Sequence, residues 1–98
     1  MTKVELEQQI NKDNLPTMVE FFAEWCGPCH VMEPMLEELR KELEGKAKII
    51  RIDVDAEQAL SQEFDILSIP TMVFYRDGKM VKQLIGLQSK GALLPLLS

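Results

Sequence analysis

This sequence is poor in several residue types, and each scarcity removes a class of function. It has one histidine and two cysteines among 98 residues. A structural zinc site takes four such ligands, and no second Cys-x-x-Cys exists, so a metal centre is not supported. No stretch approaches the roughly 20 consecutive apolar residues of a membrane-spanning helix. No basic cluster tracks along any segment, and the formal net charge is -5, which argues against nucleic acid as a partner. No apolar run follows Met1-Thr2-Lys3, so a signal peptide is not expected and a cytoplasmic setting is. Internal repeats, linkers and low-complexity tracts are also missing. At this length residues 1–98 form a single domain with one core, and nothing requires more than a monomer.

What is present is concentrated. Both cysteines fall in Ala23-Glu24-Trp25-Cys26-Gly27-Pro28-Cys29-His30. An apolar run, residues 17–22, precedes them, and a long helical pattern follows. The first turn of a helix carries free N–H groups and a partial positive charge, and both favour a thiolate over a thiol. Pro28 fits an early helical position, where its missing N–H costs nothing. A staple two residues apart closes too small a loop to constrain the unfolded chain much. The pair therefore reads as a dithiol–disulfide exchange site.

The rest of the chain reads as α-β-α-β-α-β-β-α, with room for a short strand at 2–4. Residues 4–13 suggest a short amphipathic helix burying Val4, Leu6 and Ile10. Residues 17–22 look like a strand buried on both faces. From Gly27 to Glu44, Val31, Met35, Leu36, Leu39 and Leu43 recur at helical steps, with a kink expected at Pro34 and an end at Gly45. A second strand is expected over 47–54, a helix capped by Asp55 over 56–64, and a third strand over 72–75. Asp77-Gly78 signals a hairpin into 80–85. Ser89 caps a last helix whose regular geometry should stop near Leu94, before Pro95. Early alternation implies parallel pairing, and the hairpin adds an antiparallel edge.

Glu20 is the one acid in its strand. Buried, it would have a raised pKa and could exchange a proton with a nearby thiol; alternatively it pairs with Arg51 in the next strand. His30 has two readings as well. Its charge could stabilise the thiolate, or it could sit idle on the solvent face.

Trp25-Cys26-Gly27-Pro28-Cys29, followed at a distance by Ile69-Pro70-Thr71, Asp77-Gly78 and Gly86, resembles the thioredoxin family along essentially the whole chain. The resemblance implies an α/β thioredoxin fold: a central mixed sheet of four or five strands with helices on both faces. It implies a cis bond before Pro70 and protein-disulfide reductase activity. Cys26 would be the nucleophile, Cys29 the resolving thiol and Glu20 the proton acceptor and donor. Trp25, Gly27, Pro28, Ile69, Pro70 and Gly86 would form the substrate-binding surface, with His30 and Arg51 tuning ionisation. No bound cofactor is implied beyond the redox-active Cys26–Cys29 disulfide. The implied partners are disulfide-containing proteins and a thioredoxin reductase, either an NADPH-dependent flavoprotein or a ferredoxin-dependent enzyme. A binding module on the same fold, or a dedicated oxidant or isomerase, is the alternative. The chain departs from the family in having Glu20 for an aspartate, Phe22 for a tryptophan and His30 for a lysine or arginine.

Overall fold

The computed structural model describes residues 1–98. Helix α1 (Lys3–Asn11) starts at a capping box: the Thr2 hydroxyl accepts the Glu5 N–H, and the Glu5 carboxylate accepts the Thr2 N–H. That cap occupies the place of the short strand expected at 2–4, so the sheet has four strands. Leu6 and Ile10 are buried, one helical turn apart. Val4 is exposed, contrary to expectation, because two residues before Leu6 is nearly the opposite side of a helix.

Strand β1 (Thr17–Phe22) lies inside the sheet and is buried throughout except for partly covered Phe22. It runs parallel to β2 (Lys48–Asp53) and antiparallel to β3 (Thr71–Arg76). Strand β4 (Lys79–Ile85) pairs antiparallel with β3, giving the order β2-β1-β3-β4. Antiparallel pairing thus begins at β3, one strand earlier than the hairpin alone would supply. The hairpin turn holds Asp77 and Gly78 at positive φ, as an Asp-Gly turn requires. Both β2 and β4 are edge strands.

Side chains alternate across β1, so one strand feeds two cores. Met18 joins Met72 and Phe74 beneath α2 (Gly27–Glu42), α4 (Lys90–Leu93) and the closing 3-10 turn Leu94–Leu97. Val19 and Phe21 join Ile52 and Val73 beneath α1 and α3 (Gln58–Glu63). Helices therefore cover both faces. The α2 stripe is Cys29, Met32, Leu36 and Leu39, with Met35 and Leu43 at its margin. Val31 is exposed, because Met32 and not Val31 lies on the row shared with Leu36 and Leu39.

Helix α3 begins later than expected. Asp55 does not cap it; the Asp53 carboxylate instead accepts the N–H groups of Asp55 and Ala56, holding a turn ahead of the helix. At the other end of the chain Ser89 caps α4 through the Ala92 N–H, and α-helical geometry gives way to the 3-10 turn around Pro95.

Candidate active site

The site forms where β1 ends and α2 begins. Cys26 has extended geometry and is the N-cap of α2; its sulfur accepts the Cys29 N–H at 3.2 Å. A sulfur at this point receives the free N–H groups and the positive end of the helix dipole. Gly27 and Pro28 make the exposed first turn, so the chain reaches Cys29 without needing the N–H that proline lacks. The two cysteines are disulfide-bonded with Cα atoms 5.3 Å apart. Cys26 retains 3% exposure and Cys29 none, so Cys26 is the less deeply buried cysteine.

A second wall comes from the loop before β3. The Ile69–Pro70 peptide is cis, and Ile69 packs against the cluster of Ala23, Cys26 and Cys29. Gly86, at φ +87, donates its N–H to the Pro70 carbonyl at 2.8 Å and so ties the end of β4 to this loop. Trp25 stands 70% exposed, with its indole N–H donated to the Asp55 carboxylate at 2.7 Å. An apolar pocket of about 150 Å³ lies between Trp25 and residues Ile66, Leu67 and Ile69. Leu67 is 95% exposed at its rim. The structure thus gathers Trp25, Gly27, Pro28, Ile69, Pro70 and Gly86 around or beside the disulfide. Sequence reasoning does not single out Asp55 or Leu67 for the site. Asp55 carries a helix-cap signal that conceals its bond to Trp25, and nothing marks Leu67 as exposed.

Beneath β1's end, Glu20 is fully buried and faces α2. Its cross-strand neighbour is Arg51, whose Nε donates to Glu20 Oε1 at 2.7 Å. The two readings of Glu20 are therefore compatible: the carboxylate is both buried and paired. Burial raises its pKa, and Arg51 opposes that rise without cancelling it. The guanidinium also lies over the Phe22 ring, 4.0 Å from its centroid. Oε2 of Glu20 and Nη2 of Arg51 have no hydrogen-bond partner although buried.

His30 lies on the outer side of α2. Its Nε2 contacts the Glu24 carbonyl and its Nδ1 the Glu33 carboxylate, the latter at 2.8 Å. The Glu24 carbonyl, then Glu33, raise its pKa. Both ring nitrogens are engaged away from the sulfurs, so any effect of His30 on the site acts through its charge. No group of three or more His, Cys, Asp or Glu side chains is placed to hold a metal ion.

The sequence model of the thioredoxin family matches residues 1–98. The chain belongs to the thioredoxin family. It is similar to a thioredoxin from Rickettsia felis, with 37% identity over 96% of this chain and 90% of that one. It is 41% identical, over 87% of its length, to 19% of a bifunctional thioredoxin reductase/thioredoxin from Mycobacterium leprae. Among solved structures, a mutant thioredoxin from Halobacterium salinarum superposes with a TM-score of 0.85 at 36% identity, covering 99% of this chain and 83% of that one. Thioredoxin-family membership and a closed Cys26–Cys29 pair make the chain a thiol–disulfide oxidoreductase.

Proposed function

We propose that this thioredoxin-family chain reduces disulfides in partner proteins, with Cys26 as nucleophile. The supporting observation is the position of Cys26: N-cap of α2, the less deeply buried cysteine, beside the Ile69–Pro70 loop. In the reduced protein the Cys26 thiolate attacks one sulfur of the partner's disulfide. That bond breaks, a mixed disulfide forms, and the partner's other sulfur leaves as a thiolate. Glu20 accepts the Cys29 proton. The Cys29 thiolate then attacks Cys26, forming the Cys26–Cys29 bond and releasing the second partner sulfur. The partner gains two electrons and the active-site pair loses two. Burial of Glu20 supports the proton role, since a raised pKa brings a carboxyl closer to that of a thiol.

The partner's extended segment lies along the Ile69–Pro70 loop, with an apolar side chain in the pocket beside Trp25. The oxidised pair is returned to the dithiol by a thioredoxin reductase, as the joining of the two activities in the Mycobacterium leprae relative's name suggests. An NADPH-dependent flavoprotein and a ferredoxin-dependent enzyme are the two donors to compare. The test is reduction of insulin by dithiothreitol. Wild type should accelerate it, and Cys26→Ser should abolish the acceleration. Cys29→Ser should accumulate a stable mixed disulfide through Cys26. Equal inactivity of wild type and Cys26→Ser would overturn the reductase reading.

A further inference from the structure

Four charged or titratable side chains run from the surface of α2 to the buried end of β1. His30 Nδ1 lies 2.8 Å from Glu33 Oε1. The same Glu33 oxygen lies 3.9 Å from Arg51 Nη2, and Arg51 Nε lies 2.7 Å from Glu20 Oε1. The 3.9 Å step is the only one too long for a hydrogen bond. Its Arg51 atom is also the buried guanidinium nitrogen without a partner. A small rotation of Glu33 would complete the bond to Arg51 while weakening the one to His30. Glu33 Oε1 is thus shared between two cations, and moving it onto one takes it from the other.

We propose that Glu33 is a positioning residue that couples the charge of His30 to the proton affinity of Glu20 through Arg51. This deepens the proposed function and rests on its assignment of a proton role to Glu20. With His30 protonated, Glu33 stays on the helix surface at its i,i+3 neighbour, and the guanidinium is committed to Glu20. With His30 neutral, Glu33 closes on Nη2. Its negative charge then offsets Arg51, the positive charge of His30 is gone, and the Glu20 carboxyl holds its proton more tightly. Both effects have the same sign.

Other groups bear on the same carboxyl and must be kept constant. From α2 the further group is Arg40. From β3 the cross-strand neighbour is Met72, which is apolar. On His30 itself the other facing group is Glu24. Glu33, Arg40 and Arg51 line an open cleft of about 580 Å³ that shares no residue with the pocket beside Trp25. Water therefore reaches Glu33 and Arg51 by a route separate from that pocket.

The experiment is a carbon-13 NMR titration of the Glu20 carboxyl in the oxidised full chain, in wild type, His30→Asn, Glu33→Gln and the double variant. All three variants alter only exposed or half-exposed helix positions, so the fold should persist. His30→Asn should raise the Glu20 midpoint by about half a pH unit, and Glu33→Gln should lower it. In the Glu33→Gln background, His30→Asn should shift the midpoint by less than about half as much. An equal shift in both backgrounds, or no shift in either, overturns the coupling. The readout contains no catalytic step. Failure of the proton-acceptor reading would instead show as unchanged resolution of a mixed disulfide in Glu20→Gln, with the NMR coupling intact.

Discussion

Replacing Arg51 with glutamine should destabilise the protein in a pH-dependent way. The Arg51 Nε–Glu20 Oε1 distance is 2.7 Å, which puts the charge centres about 4 Å apart and their attraction at about 4 kcal/mol for an effective dielectric near 20. Arg51 is 28% exposed, so water screens the pair, and about 2 kcal/mol is a fairer figure. The sign follows from the raised pKa of Glu20, set first by burial. A carboxyl with a raised folded pKa binds its proton more tightly when folded than when unfolded. Its contribution to stability is therefore present below the unfolded value of 4.5 and falls as pH rises towards the folded pKa. Without Arg51 the folded pKa rises further, so the fall continues to higher pH and goes deeper. Urea unfolding followed by circular dichroism measures it. Near pH 4 the variant should lose well under about 1 kcal/mol, chiefly the contact with Phe22. Around pH 9 it should lose about 2 kcal/mol, a drop of about 1 to 2 M in midpoint. Adding Glu20→Gln should recover most of the loss at high pH. An equal loss at both pH values would show that packing, not charge, joins the two residues.

Trp25→Phe keeps an aromatic side chain but loses the indole N–H and its 2.7 Å bond to Asp55, so KM for a protein disulfide should rise several-fold while stability changes by less than about 1 kcal/mol; insulin-reduction kinetics and urea midpoints test both halves. Gly86→Ala meets no steric clash but must hold φ +87, so it should cost about 1–2 kcal/mol by thermal unfolding. Leu39→Ala opens a cavity in the core under α2 and should cost about 2–5 kcal/mol, again by thermal unfolding, without moving the pH profile of disulfide reduction.

Much of this is legible in the chain before folding. Strand β1 is bounded by physics that is local: Leu15-Pro16 keeps the chain extended before it, and six residues rich in apolar side chains follow. Glu20 and Arg51 stand out because each charge interrupts an apolar run. Asp55 misleads because an aspartate before a helix is normally a cap, and only the fold brings Trp25 within its reach. Val31 reads as buried because its apolar identity is visible and the phase of the helix is not. Glu33 gives no signal among the many acids of α2. Its importance depends on a turn of helix setting it between His30 and β2, a relation that no single segment contains.

Arg51 has one more consequence, for self-association. It sits in β2, an edge strand, between Ile49-Ile50 and Ile52. An edge of that composition without a charge would offer a second molecule a short, flat, apolar template with unpaired backbone groups. Lys48 and Asp53 guard the ends of the strand, but only Arg51 guards its middle. The same guanidinium that serves the buried carboxylate on one side therefore helps keep neighbouring molecules from docking strand to strand. Replacing it with methionine or leucine should favour aggregation at high concentration even where each isolated molecule stays folded.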